Sequence, residues 1–373
     1  MNASRIPCTA GLWRFAILIF LFSGFGCTST APLTRFRLGM YGVSSPAQLV
    51  RLKGFGFNSF FTRDKNPAFL SILAREAKRQ KMDMVVYPEG VISSTFSAAA
   101  KSWPIAAWYL VDEPDGTNKL WPAEKLAALD AANKKWSPNQ RTTFVIGQGS
   151  PALKYGKISD ILMVDWYPVP HLPLESVAQQ LDIARQGVPA GKPIWAVLQS
   201  FNWKDYPQRN PRKPRIGRFP YHEEIRFMSY AAIVHGARGI YYLTLRRPDG
   251  EPRTLFDFPE HLSRVTRVAG ELKSLLPILD NGTPIPVPFP LADGLEAAAW
   301  RYRFRDYVIV LNRSKMFSIP FPEALLDRRW RPLFETRRDT KELLLEKDGV
   351  FHLRSYDVMV FESRFSLRRT PAK

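Results

Sequence analysis

The stretch Trp108-Tyr109-Leu110-Val111-Asp112-Glu113-Pro114 decides how the chain is read. A short apolar run, 106–111, stops abruptly at two carboxylates and a proline. Parallel strands covered on both faces are nearly continuous in apolar residues, and ligands gather at their carboxyl ends. The run predicts a buried strand whose tip delivers Asp112 and Glu113 into a cleft, with Pro114 keeping the chain from continuing the sheet. A helix cap or surface turn would use the same acids, so the neighbouring pattern has to decide.

That pattern repeats. Apolar strand candidates lie at 37–41, 57–62, 82–87, 106–111, 142–147, 161–165, 194–199 and 239–244. Helical patterns at 46–53, 68–80, 122–135, 174–185 and 221–235 separate several of them, and another follows the eighth strand at 259–276. The links after the third and fifth strands are shorter and less regular. Ser45-Pro46 and Asn66-Pro67 put proline at the first helical position, where its missing N–H costs nothing. Strand-then-helix order implies parallel pairing through right-handed crossovers. Eight such units in about 240 residues match a (β/α)8 TIM barrel, placed at 36–278. The alternative is an open doubly wound sheet. Eight alternations argue against it, as does the lack of a glycine-rich dinucleotide fingerprint after the first strand.

Composition changes near residue 279. The segment Asn281-Gly282-Thr283-Pro284-Ile285-Pro286-Val287-Pro288 cannot continue a helix. Short alternating runs at 295–302, 307–311, 330–334, 350–353 and 358–361 predict a small antiparallel β-sandwich domain at 279–363, its first hairpin turned by Arg305-Asp306. Residues 364–373 form a basic tail. At the other end, Arg5 and Arg14 precede an apolar run at 15–22, then small residues and Cys27. Residues 1–27 read as a signal peptide with a lipobox-like end, and 28–35 as a linker. The run is too short and too soon broken for a membrane span. Lipidation of Cys27 is expected, and with it membrane attachment in the bacterial cell envelope; an uncleaved anchor or ordinary cleavage is the alternative. Cys8 leaves with the signal, so Cys27 would have no disulfide partner.

A formal charge of +19 draws anionic partners to the surface. There is no helix-turn-helix, RNP-like or zinc-finger pattern, so nucleic acid is not among the expected partners. The five histidines (His171, His222, His235, His261, His352) are scattered without metal-ligand spacing, and no metal or cofactor is expected. The oligomeric state is left open.

In a barrel, residues at strand carboxyl ends line one cleft. They are Tyr41, Arg63, Tyr87, Glu89, Asp112, Glu113, Gln148, Asp165, Trp166, Tyr167, Gln199, Asn202, Trp203, Tyr241, Tyr242 and Arg246. Carboxylates and amides bond hydroxyls while aromatic faces take the apolar side of a sugar, so the mixture suits a carbohydrate. Any one of these aromatics alone is explained by core packing. Glycoside hydrolysis ordinarily needs two carboxyls. Glu113 is the expected general acid, Asp165 its partner and Glu89 the reserve, although Asp165 would serve equally as an ion-pair partner for Arg63. Tyr41, Arg63, Tyr87, Asp112, Trp166, Tyr167, Gln199, Trp203 and Tyr242 are the expected sugar-binding residues. The run Arg209, Arg212, Lys213, Arg215 and Arg218 would overhang the cleft and grip a uronate or sulfated chain; a solvated loop is the bland reading.

The Asp112-Glu113-Pro114 tip resembles the acid/base position of TIM-barrel glycoside hydrolases, above all the large clan that often carries Asn-Glu-Pro there. Asp165-Trp166-Tyr167-Pro168, Gln199-Ser200-Phe201, and Glu224-Ile225-Arg226 before Gly236-Ala237-Arg238-Gly239-Ile240 are similar to bacterial members of that superfamily. The β domain, closing with Tyr356-Asp357-Val358, looks like the sandwiches that follow many such barrels. The resemblance implies a glycosidase or transglycosidase acting on a poly- or oligosaccharide. It also exposes a departure, because the clan's strand-seven nucleophile is a glutamate and this chain has Gln199. Either Asp165 acts as base in an inverting mechanism, or the substrate supplies its own group, or the protein binds glycans in the envelope without cleaving them.

Overall fold

Eight strands pair in parallel in chain order: Arg37–Met40 (β1), Ser59–Phe61 (β2), Asp83–Val86 (β3), Ile105–Asp112 (β4), Thr142–Ile146 (β5), Ile161–Trp166 (β6), Ile194–Gln199 (β7) and Gly239–Leu243 (β8). β8 closes back onto β1 through pairs such as Leu38 with Ile240, making a barrel. The helices Pro46–Phe55 (α1), Pro67–Gln80 (α2), Ser97–Ala100 (α3), Ala123–Trp136 (α4), Ala152–Tyr155 (α5), Ser176–Gly187 (α6), His222–Val234 (α7) and Pro259–Asn281 (α8) each follow one strand. The structure is a computed structural model and describes residues 35–116, 120–205, 216–244, 254–334 and 340–364. The expected signal segment with Cys8 and Cys27, the expected linker up to 34, Arg209, Arg212, Lys213, Arg215, Arg246 and the tail from 365 lie outside the described residues.

Period-two alternation along apolar strands builds two separate cores. On β7, Ile194, Ala196 and Leu198 face the helices while Trp195 and Val197 face the barrel axis. On β8 the outward residues are Ile240 and Tyr242, the inward ones Tyr241 and Leu243. The interior is solid: Tyr241 crosses it, bonds Ser59 Oγ at 2.6 Å, and lies 5.3 Å from the Trp195 ring. Gly39 makes room for that ring, since a Cβ there would meet Tyr241 Cε1 at 2.2 Å. The filled axis confines any ligand to the mouth.

After α8, whose last turn takes in residues 279–281, comes the antiparallel part. It comprises Thr283–Ile285 (β9), Leu295–Tyr302 (β10), Arg305–Asn312 (β11), Ile319–Pro320 (β12), Trp330–Pro332 (β13), Leu345–Lys347 (β14), Val350–Leu353 (β15) and Val358–Ser363 (β16). One sheet has the order β13-β16-β11-β10-β9 and the other β12-β15-β14. Leu295, Val308, Val310 and Phe361 of the first share a core with Ile319 and Leu353 of the second. The first hairpin turns at Arg303-Phe304 (φ 47° and 64°), not at Arg305-Asp306. Two left-handed residues match the twist of the paired strands, and Asp306 stays in β11, bonded to Arg301 at 2.7 Å.

The β domain docks on α6, α7 and α8. Arg226 bonds the Val358 carbonyl and the Glu271 carboxylate (2.8 Å), while Tyr356 bonds Glu175 and packs 4.8 Å from Phe227. His235, just past α7, joins Asp182 on α6 to Glu296 on β10, at 2.9 Å each. Burial works against charge on His235, but these two carboxylates outweigh it and hold the imidazolium up to about 9. A raised histidine pKa stabilises the fold fully below the unfolded value and loses that contribution as pH rises through about 9. Arg313 also bonds Glu296, at 3.4 Å. We therefore expect His235→Ala to lower thermal stability at pH 6, by up to about 3 kcal/mol, and much less at pH 10. Equal losses at both pH values in calorimetry would mean that packing, not charge, joins the two parts.

Candidate active site

Across the β4–β5 pairing, Tyr109 lies opposite Thr143 but Asp112 opposite Val145, so β4 carries one extra residue. The bulge breaks the alternation, and Leu110 and Val111 both pack on the outer side. Asp112 is thereby returned to the inner side, where Tyr109 Oη donates to its Oδ1 at 2.5 Å. Strict period two would then send Glu113 outward. Glu113 instead has φ 41°, a left-handed conformation uncommon for a residue with a side chain and often found at active sites. Two consecutive acids thus reach one cleft.

Glu113 meets two further acids at Gly147, just past β5. A Cβ placed there would stand 3.6 Å from Glu113 Cδ and 3.7 Å from both Asp165 Oδ1 and Asp115 Oδ2. Three carboxyls converge on a position kept bare of any side chain. Asp165 is buried (5 % exposed), and its Oδ2 accepts from Tyr167 Oη at 2.8 Å. Its Oδ1 has no hydrogen-bond partner among the described residues and faces the same point over Gly147 as the Glu113 carboxyl. Charges on two carboxyls that converge on one point oppose each other, which favours keeping a proton on the pair. Burial is the main cause that raises Glu113, with Asp112 and Asp115 adding to it; the neighbouring Asp165 and Arg63 pull back. Burial, then the Glu113 charge, raises Asp165 well above the carboxylate range. Such a pair keeps one proton available where ordinary carboxyls have lost theirs.

Tyrosines surround the pair. Burial and the neighbouring carboxylates push Tyr41, Tyr87, Tyr109 and Tyr167 upward, so all four remain neutral hydrogen-bond donors. Tyr41 lies in the floor, bonded to Met163 Sδ (3.9 Å) and packed 4.3 Å from Phe61. Tyr87 and Tyr109 meet edge to face at 5.1 Å. Tyr167, Phe201 and Trp203 form a second aromatic group beside Asp165, with centroids 5.0–6.3 Å apart. Arg63 is half-buried at the β2 tip, and its charge acts on Tyr41, Tyr87 and Glu113.

Four residues expected at the site lie elsewhere. Tyr242 points away from the barrel axis and bonds Ser229 Oγ of α7 at 2.7 Å, because alternation turns Tyr241 inward instead. Trp166 is also on the outer side, its indole N–H donating to Ser176 Oγ at 2.8 Å. Glu89 is exposed on the rim and ion-paired with Lys65, apart from the charges that act on Glu113. Gln199 is wholly buried: Oε1 accepts from Val169 N at 2.8 Å, and Nε2 donates to Val169 O (2.8 Å) and Phe201 O (3.2 Å). It clamps the loop after β6 and offers nothing to a ligand. Of the basic run, Arg218 is committed to Glu224 through two bonds of 2.6 Å. Glu224 also accepts from Tyr221 N at the start of α7, and Arg226 holds the β domain, so the Glu224-Ile225-Arg226 motif is structural.

Asp115, Tyr109 and Gly147 escaped the sequence reading. Asp115 accepts from Gly147 N at 3.1 Å, and burial raises it. Its only signal was a third acid two residues beyond Glu113. Asp115→Asn keeps an acceptor for Gly147 N–H but removes the charge that helps Glu113 hold its proton. The alkaline limb of activity is expected to move to lower pH, with less than about a tenfold loss at the optimum. An unmoved limb in a kcat–pH profile would mean that Asp115 only shapes the loop.

No protein-family model matches the sequence, and no curated protein matches it significantly. Solved structures do resemble the fold. The α-amylase of Geobacillus thermoleovorans, determined with acarbose, superposes with a TM-score of 0.53 at 13% identity, covering 89% of this chain and 99% of that one. Amy13B of Eubacterium rectale gives 0.55 at 9% identity, covering 90% and 96%. An Anoxybacillus α-amylase gives 0.54 at 12% identity, covering 90% and 99%. Coverage of that extent takes in both the barrel and much of the β domain, so the likeness is one of overall fold.

Proposed function

We propose that the chain is a glycoside hydrolase or transglycosidase acting on a poly- or oligosaccharide at the carboxyl-end mouth of its barrel. The convergence of the Glu113, Asp165 and Asp115 carboxyls over Gly147, among neutral tyrosines, carries this reading. Glu113 is the more open of the two carboxyls and acts as general acid. It gives its proton to the glycosidic oxygen as the bond to the anomeric carbon breaks. A water, or a sugar hydroxyl in transfer, adds to that carbon and returns a proton to the pair. Asp165 is read as the proton partner of Glu113, whose charge is among the causes that raise it. Asp112, Tyr41, Tyr87, Arg63, Tyr167 and Trp203 would shape the sugar site.

Glycan binding without cleavage is the second reading, favoured by the buried Gln199 at the β7 tip. Product release from a panel of neutral and acidic polysaccharides, with binding measured in parallel, separates the two. Release from any member supports the enzyme; binding across the panel without release overturns it. The run at 15–22 and Cys27 support export and lipid attachment, which the mass of the mature N-terminal peptide checks.

A further inference from the structure

We propose that one end of the five-stranded sheet docks on an anionic phospholipid surface, through an arginine cluster and the exposed Phe304 ring. Strand pairing assembles this end. Tyr302 lies opposite Arg305 across the first hairpin, Arg331 opposite Glu362, and Arg364 N donates to Arg329 O at 2.6 Å. The β10–β11 turn and the starts of β11 and β13 therefore lie beside the end of β16.

The acids there do not balance the arginines. Asp306 holds Arg301 (2.7 Å) and Asp327 holds Arg329 (3.1 Å), while Arg305 and Arg331 share the single carboxylate of Glu362. Arg303, Arg328 and Arg364 make no ion pair with a described residue and are exposed, which leaves an excess of four positive charges. Guanidinium forks match phosphate oxygens in geometry as well as charge. At the tip of the same hairpin Phe304 is 78% exposed, presented by two left-handed residues.

An exposed apolar ring beside unpaired arginines fits a headgroup layer, where the ring enters the acyl boundary and the cations hold phosphates. No described helix is long and apolar enough to cross a membrane, so this contact is peripheral. It is independent of any glycosidase activity.

The test is co-sedimentation of the full chain with vesicles of phosphatidylcholine alone and with one third phosphatidylglycerol, at low and at 0.5 M salt. Binding to neutral vesicles measures whatever the N-terminal segment contributes. The anionic-minus-neutral difference measures the arginine end. Each surface cation is worth about fivefold in partitioning, so Arg303→Glu/Arg328→Glu/Arg364→Glu should cut the difference by about 100-fold or more. Phe304→Ser should cut it with every charge in place, and 0.5 M salt should remove most of it. Unchanged melting temperatures show that the variants fold. No preference for anionic vesicles, or a preference that survives the triple substitution, overturns the proposal. Loss in the triple variant with Phe304→Ser unchanged, and equal binding to heparin, replaces the membrane with a soluble polyanion and overturns it also.

Discussion

Glu113→Gln should lower kcat on any cleaved glycan by about 10²–10⁴-fold, the usual contribution of a positioned general acid. The amide occupies the same space and can donate to Asp165, so glycan affinity should stay within about threefold of the parent. Stability supplies a second, independent reading. Glu113 is raised in the folded protein, chiefly by burial, and a carboxyl raised on folding costs stability as pH climbs from its unfolded value through its folded one. The neutral amide carries no such cost. The variant should therefore melt no lower than the parent at pH 4 and progressively higher toward pH 8. Retention of more than a tenth of the activity would move the acid role to Asp165 or Asp115, the other carboxyls at Gly147.

Gln199→Glu is the second large effect, and it falls on stability. The substitution would give β7 the glutamate of the clan that the chain resembles, yet no gain of hydrolysis is expected, because this side chain is turned into the loop after β6. A glutamate keeps an acceptor for Val169 N but sets its other oxygen against the carbonyls of Val169 and Phe201. Buried beside two acceptors, it must take up a proton, which at pH 7 costs about 4 kcal/mol relative to its ionised state in the unfolded chain. One carbonyl still loses its donor, adding about 1–3 kcal/mol. Denaturation at pH 7 should show most of this loss, and at pH 4 only the smaller part. A variant as stable as the parent would mean that residue 199 can turn into the cleft, reopening the nucleophile question there.

Much of the fold was legible in the sequence. The eight apolar runs, the proline-started helices and the composition change near 279 describe a barrel and a β domain, because hydrophobic period and chain breakers are local properties. The abrupt end of 106–111 pointed to Glu113 for the same reason: strand tips in such a barrel share one mouth. Side-chain direction was less accessible. Tyr241 and Tyr242 are neighbours of the same type, and only the register of β8 against β1 and β7 turned the first inward and the second toward α7.

By itself, then, the sequence determined the order and kind of the elements and the strand end at which carboxylates collect, since both follow from patterns of a few adjacent residues. Tertiary structure decided which carboxyls meet. A bulge in β4 and the left-handed Glu113 overrode the alternation that should part Asp112 from Glu113. The bare Cα of Gly147 let Glu113, Asp115 and Asp165 converge from β4, its following loop and β6. Gln199 was withdrawn from the cleft by hydrogen bonds to a backbone thirty residues away in sequence. Pairing register, backbone strain and long-range hydrogen bonds depend on residues far apart in the chain, and no local pattern encodes them.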